Sequence, residues 1–292
     1  MNLQWLIKSV IVLLSLSFVC SAPAAQTSRT IPYYGDEFYR DLQSGVSNEN
    51  LQTRLKAVLR SYHIARNGAN DLIAKTCQQG QGRCYAHTAI GYGAARVFLL
   101  GNFYLSKDAT NGYTIHDVYC DRDLSRKDFR GKAPAPGVIP DNSVINIEHT
   151  WPQSHFTRRF PDETQKSDLH HLFPTDSQIN AIRGNNMFGE VNQDLIDLKC
   201  PASRFGLGTG GSEEVFEPPQ DHKGNVARAL FYFSIRYDMP IDPREEAVLR
   251  KWNQEDPVDA EEMRRNEEIF KAQANRNPFI DFPELVDRIA NF

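Results

Sequence analysis

The sequence predicts an α+β protein, mainly helical, folded as a single domain with a small antiparallel sheet. Three observations predict it. Apolar residues recur at helical spacing in several segments, which is the pattern of amphipathic helices. Short β-branched runs, such as the one over 144–147, stand alone between Pro- and Gly-rich stretches. Aromatic residues are spread along the chain, with no internal repeat and no low-complexity tract to divide it.

The first residues read as an address. One basic residue, Lys8, precedes an apolar run over 11–19, and Ala22-Pro23-Ala24 supplies a small-x-small cleavage signal. The run is too short to span a bilayer comfortably, and the bulky Phe18 and Val19 argue against a lipid anchor on Cys20. A signal peptide over 1–24 is expected, with 25–292 as the mature domain, in the periplasm or outside the cell. An uncleaved anchor is the alternative. No second long apolar stretch follows, so the mature chain is expected to be free of the membrane, and a monomer.

Residues 33–62 are expected to be helical, with Ser47 as an N-cap and Leu51, Leu55, Val58 and Leu59 facing the core. A buried helix over 94–100 ends at Gly101, and 116–120 reads as a strand. Charge, Pro and Gly dominate 121–141, which is read as a long surface loop, because 132–137 can be neither helix nor central strand. The run over 144–147 is a strand leading into Glu148 and His149. A second strand is expected over 168–173, and Pro174 is expected to start a helix that ends near Gly184. A Gly-rich loop over 206–212 precedes helices over 226–237, 243–254 and 260–275, the last read as a solvated outer layer.

Four cysteines remain after the expected cleavage: Cys77, Cys84, Cys120 and Cys200. An oxidising compartment makes two disulfides plausible, and three pairings are open. We favour Cys77 with Cys84, across a polar loop, and Cys120 with Cys200 as a long-range staple. A zinc site is the competing reading, but no pair has zinc-knuckle spacing. The formal net charge of −4 argues against a protein that coats nucleic acid through bulk charge, but leaves room for a local basic cleft.

Chemistry concentrates between 148 and 186. That window holds Glu148, His149, His155, Arg158, Arg159, Asp168, His170, His171, Asn180, Arg183, Asn185 and Asn186. Glu148 is a suitable carboxylate for a hard divalent cation, and His149 is a suitable base. Adjacent strand side chains point to opposite faces, so both serve one site only if the strand ends or bends there. Asn180, about two turns into the expected helix, could complete the cation's protein ligands. Arg183, on the same helical face, could reach a phosphate.

Bland readings stand beside these. His170 and His171 are more readily structural, Asp168 is either a cap or a partner orienting a histidine, His155 is a loop residue and Trp151 is packing. Arg228, Tyr232 and Arg236 share a helical face and could form a phosphate wall or surface salt bridges.

The segment Ile147-Glu-His-Thr-Trp-Pro-Gln-Ser154, followed by Ser167-Asp-Leu-His-His-Leu-Phe-Pro174 and Ile179-Asn180, resembles the endonuclease I family of bacterial secreted and periplasmic nucleases. Arg183-Gly-Asn185, Phe188-Gly-Glu190, Glu217-Pro-Pro219, the run over 227–232 and that over 275–279 extend the likeness, which runs from about Tyr34 to the C-terminus. The resemblance implies a ββα-metal site with His149 as general base and Glu148 and Asn180 as ligands of Mg2+, with Ca2+ or Mn2+ as alternatives. It implies cleavage of DNA and RNA with little sequence preference, leaving 5′-phosphates. Some members carry a Cys-rich insertion that supplies a phosphate-binding Arg. Here the segment over 155–166 is short and lacks those cysteines, so Arg158, Arg159 and Lys166 are candidates for that role, with Arg228 as a further substrate contact. The rival readings are a zinc hydrolase using His149, His155 and His170, and an exported nucleic-acid-binding module without catalysis.

Overall fold

Helices whose apolar positions fall three and four apart pack around one central helix, and small sheets fill the gaps between them. The computed structural model describes residues 30–77, 80, 82–110 and 112–292, and the expected signal peptide at 1–24 lies outside them. Ile31–Phe292 form one compact unit.

The helix expected over 33–62 is two helices, α1 (Gly35–Gln43) and α2 (Asn48–Arg60). The break falls at Gly45, whose φ of +76° suits glycine and ends a helix. Leu51, Leu55, Val58 and Leu59 are buried, as their spacing requires. Ser47 occupies the N-cap position of α2, although its side chain makes no capping bond.

A three-stranded antiparallel sheet follows, with β1 (Tyr62–Ile64) between β2 (Leu72–Ala74) and β3 (Cys84–Tyr85). A disulfide joins Cys77 to Cys84 beside it. Helix α3 (Tyr92–Phe98) runs on into a π turn, Leu99–Phe103. Gly101 lies in that turn because a Cβ there would meet the Gly137 backbone at 2.9 Å, where the Pro-rich loop crosses.

β4 (Leu105–Asp108), β5 (Gly112–Asp117) and β6 (Arg122–Ser125) form a second antiparallel sheet. The strand expected at 116–120 therefore ends at Asp117, and the loop expected from 121 begins only after β6. Pairing of Ile115 with Leu124, both buried, explains the difference, because only the partner strand reveals that burial. The turn between these strands is stapled by the Cys120–Cys200 disulfide.

β7 (Ile145–His149) pairs antiparallel with β8 (Leu172–Asp176), with α4 (Asp162–Lys166) in the excursion between them and α5 (Ser177–Arg183) directly after β8. The structure corrects two boundaries. Residues 169–171 form a 3-10 turn, and Pro174 sits inside β8 opposite Ile147 rather than starting a helix. A proline fits a strand only where no ladder bond needs its missing N–H. The helix starts three residues later because Asp176 caps it, its carboxylate accepting from Gln178 N at 2.8 Å and Ile179 N at 3.1 Å.

β9 (Met187–Phe188), β10 (Val191–Ile196), β11 (Arg204–Gly208) and β12 (Glu214–Glu217) make a four-stranded sheet in the order β10-β11-β12-β9, parallel only between β12 and β9. The Gly-rich stretch expected as a loop thus begins as strand. Gly206 lies so close to the neighbouring backbone that a Cβ would overlap the Gln193 carbonyl.

The core centres on α6 (Lys223–Tyr237), buried on every side, with α7 (Pro243–Glu255), α8 (Ala260–Gln273) and α9 (Pro278–Asp281) around it. Phe233 stacks on Trp151 at 5.4 Å and on Phe156 at 5.8 Å, so α6 backs the β7–β8 pair. Trp151 is packing, as expected. Helix α8 is more than a solvated layer: Glu262, Arg265, Asn266, Ile269 and Gln273 are buried. The fold is α+β, its strands distributed through four small sheets.

Candidate active site

Strand β7 carries the site to its end. Within it Asn146 and Glu148, two apart, share a face. His149 is the last strand residue, and Pro152 follows shortly after, so the chain turns where the second functional side chain is needed. As a result Asn146, Glu148 and His149 line one open cleft of about 700 Å³ with Asn180 of α5. The convergence of Glu148 with His149 that alternation alone would forbid is achieved by ending the strand.

Glu148 is almost fully buried, and its Oε1 accepts from Arg183 Nη1 at 2.7 Å. Burial pushes its carboxyl above the ordinary value, while the Arg183 charge pulls it down. Asn180 is the fourth residue of α5, one turn in rather than the two expected, because the helix starts at Ser177. Its Nδ2 donates to Asn146 Oδ1 at 2.7 Å. That bond commits the amide nitrogen and leaves Oδ1 as the other polar atom of the side chain. An amide oxygen and a carboxylate on one cleft suit a hard divalent ion.

His149 is held from two sides. Its Nε2 donates to the Lys166 carbonyl at 3.1 Å, and Gln153 Nε2 donates to its Nδ1 at 3.3 Å. A carbonyl can only accept, so Nε2 carries the hydrogen and Nδ1 the lone pair. Burial, reinforced by nearby His171, lowers the His149 pKa to about 3, so the ring is neutral near pH 7.

Arg183 does not line the cleft. It is 1% exposed, and beside its bond to Glu148 it donates to the carbonyls of His149 at 3.1 Å and Thr150 at 2.8 Å. Its guanidinium stands over the Phe188 ring at 4.3 Å. The i, i+3 spacing from Asn180 placed it near the site, but helix packing turned it inward behind Glu148. Its contacts are with Glu148 and with the backbone at 149 and 150.

The other basic candidates separate. Arg228 is fully buried in α6, bound to the Glu262 carboxylate, to Asn253 Oδ1 and to the Asp256 carbonyl. The phosphate wall proposed for Arg228, Tyr232 and Arg236 is therefore withdrawn: all three are buried. Arg159 is exposed and pairs with Asp238 at 2.6 Å, and Arg158 is exposed, but neither lines the cleft. Lys166 comes nearest, its Nζ standing 4.9 Å from the ring of Tyr92, which does line the cleft.

His170 and His171 do not line the cleft. Both are buried, His170 against Tyr232 at 4.6 Å and His171 against Phe233 at 4.3 Å. Asp168 is a buried hub that accepts from Tyr232 Oη at 2.7 Å, Tyr237 Oη at 2.8 Å and Gln273 Nε2 at 2.7 Å. His155 faces a neighbouring cavity with Trp151, Asp242 and Glu245. Among the described residues, the only group of three potential ligands close together is Asp117, Cys120 and Asp176. Its sulfur is spent in the disulfide, and Asp117 Oδ1 is occupied by the amides of Tyr119, Cys120 and Asp176. That group fastens the β5–β6 turn to β8.

Among the cleft residues that the sequence reading missed are Asn146, Asn142, Tyr92 and Arg96. Asn146 carried a signal, its two-residue spacing from Glu148 on one strand. Tyr92 and Arg96 had none, since α3 is remote in sequence from the motif.

A carboxylate, a carboxamide and a neutral imidazole on one open cleft define a site suited to cation binding and base catalysis. The chain belongs to the endonuclease I family: the family model described as Endonuclease I matches residues 81–284. It is 38% identical over 165 residues to an extracellular ribonuclease of Bacillus subtilis (strain 168), covering 49% of this chain and 53% of that protein. It is 36% identical over 187 residues to an extracellular ribonuclease of Bacillus amyloliquefaciens, covering 57% and 60%. An extracellular deoxyribonuclease of Aeromonas hydrophila is 28% identical over 212 residues, covering 60% and 85%. The chain thus spans little more than half the length of the two ribonucleases.

Proposed function

We propose that this chain is an exported, metal-dependent endonuclease that hydrolyses phosphodiester bonds in DNA and RNA with little sequence preference. The observation that carries the reading is the tautomer of His149: its Nε2 is spent on the Lys166 carbonyl, which leaves Nδ1, the acceptor of the Gln153 amide, as the basic nitrogen of a residue that shares its cleft with Glu148 and Asn180. Relatives named as extracellular ribonucleases and as extracellular and periplasmic deoxyribonucleases support both substrates and export.

Glu148 and Asn180 would hold a divalent cation, with Mg2+ the first choice and Ca2+ or Mn2+ as alternatives. The order of strand pair and following helix agrees with the ββα-metal arrangement that the family implies, and so supports the reading. When bound, the ion supplies positive charge beside the phosphate and the leaving oxygen. His149 Nδ1 takes a proton from water. The water oxygen bonds to phosphorus as the bond to the 3′-oxygen breaks; the 3′-oxygen takes a proton from solvent and His149 later gives its own back to solvent, leaving a 5′-phosphate and a 3′-hydroxyl. Arg183 keeps Glu148 charged and in place. Contacts of this kind meet the backbone and not base edges, which accounts for low sequence preference.

The zinc-hydrolase alternative would need His149, His155 and His170 together, and the three face different surroundings. The non-catalytic alternative is opposed by an intact base and carboxylate. Incubating the oxidised chain with supercoiled DNA and with RNA, across Mg2+, Ca2+ and Mn2+ and with chelator, tests the proposal. Cation-dependent nicking with 5′-phosphate ends is expected. No cleavage with any cation would refute it.

A further inference from the structure

The cation that meets the substrate phosphate comes from α3, outside the motif segment. We propose that Arg96 contacts a substrate phosphate in the cleft, an inference that rests on the nuclease reading above. Among the described residues, Arg96 is the only lysine or arginine that lines the cleft with Glu148, His149 and Asn180. A polyanion entering that cleft meets no other side chain there of permanent positive charge.

The charge on Arg96 is unspent. Its Nη2 donates to Asn142 Oδ1 at 2.9 Å, a neutral amide oxygen, and its Nε has no hydrogen-bond partner among the described residues. No described carboxylate pairs with it, whereas Arg122, Arg204, Arg250 and Arg276 each face one. A guanidinium bound only to a neutral group keeps its full attraction for an incoming anion.

The side chain is also held. Arg96 is half-buried, with its guanidinium 5.9 Å from the Tyr92 ring on the same helix. Tyr92 packs 5.2 Å from the His149 ring. Asn142 lies three residues before β7 begins, so the residue that orients Arg96 is anchored to the strand that carries Glu148 and His149. Lys166, by contrast, stands 4.9 Å from the Tyr92 ring and does not line the cleft. Arg96 therefore reads as the phosphate contact and Asn142 as its positioning residue.

The alternative is a purely structural link between α3 and the 142 loop. Salt dependence separates the two, because each phosphate contact releases counterions and a structural bond does not. In a His149→Ala background, binding of a short fluorescent DNA duplex is titrated across rising salt, with and without Arg96→Ala. The salt slope is expected to fall by about one contact. In the active chain, Arg96→Ala is expected to lower kcat/KM by roughly 10- to 100-fold, with partial recovery in Arg96→Lys. Lys271→Ala, a surface lysine paired with Glu268, should change neither. A folded Arg96→Ala protein with an unchanged salt slope overturns the assignment. If that variant fails to fold, Arg96→Gln, which retains an amide donor for Asn142, is read in its place against the same criterion. Failure of the unsubstituted chain to cleave would sink the nuclease reading instead, a separate outcome.

Discussion

Arg183 and Glu148 form an ion pair at 2.7 Å in which both side chains are almost completely withdrawn from water. The same guanidinium binds the carbonyls of His149 and Thr150, so one side chain holds both the Glu148 carboxylate and the backbone at His149. Desolvating two charges is costly, but removing one partner is worse, because the other is left buried and unpaired.

Arg183→Ala should therefore destabilise the fold by about 3–5 kcal/mol. Arg183→Met should show a similar loss, since volume is kept while the charge is not. Urea unfolding checks this. A change below about 1 kcal/mol, within the range of an exposed ion pair, would show that the pair is not buried in solution.

His149→Ala should leave the fold intact and lower kcat by roughly 100- to 10,000-fold, the usual contribution of a positioned base. Far-UV circular dichroism and single-turnover cleavage decide it. Near-normal turnover in a folded variant would remove His149 from its role.

Asn146→Ala should raise the cation concentration needed for half-maximal cleavage by about 10- to 100-fold, because it frees the Asn180 amide that it now orients. The maximal rate at saturating cation should change much less. An unaltered cation midpoint would mean that Asn146 does not set the Asn180 rotamer.

Acid should destabilise the fold through its buried histidines. Burial, aided by Arg265 and other neighbouring cations, lowers the His222 pKa to about 3, and burial lowers that of His170 to about 3 despite Asp168. A depressed histidine is neutral in the folded state, so its stabilisation is complete above the unfolded pKa near ~6.5 and is lost as pH falls toward the folded value. Urea midpoints should decline steadily from about pH 6.5 toward 4, and His222→Leu should flatten that slope. Equal slopes in the two proteins would disprove the contribution of His222.

Opening the Cys120–Cys200 disulfide, which closes a separation of 80 residues, should cost about 2–5 kcal/mol. Cys120→Ser with Cys200→Ser, compared by thermal unfolding, tests it. The pair ties the β5–β6 turn to the segment before β11, so a melting temperature equal to that of the unsubstituted chain would show the staple to be redundant.

Much of this molecule could be read along the chain. The helices over 226–237, 243–254 and 260–275 lie within a few residues of α6, α7 and α8, because apolar periodicity, capping Asp242 and Asp259, and flanking prolines are all local signals. The order of strand, excursion, strand and helix around Glu148, His149 and Asn180 was legible for the same reason. Boundaries fared worse where a partner decided them: Pro174 looked like a helix start and proved to be a strand residue, since only β7 shows which amides the ladder needs.

Charge was the least legible quantity. Arg183, Arg228 and Arg96 are alike in sequence terms, each an arginine on a helix. Packing buries Arg183 behind Glu148, seals Arg228 against Glu262 and leaves Arg96 on the cleft with no carboxylate partner among the described residues. Residue type and short-range spacing determined which chemistry this chain could hold. Tertiary structure alone decided which cations are available for it, because solvent exposure and ion pairing depend on neighbours brought from far along the chain.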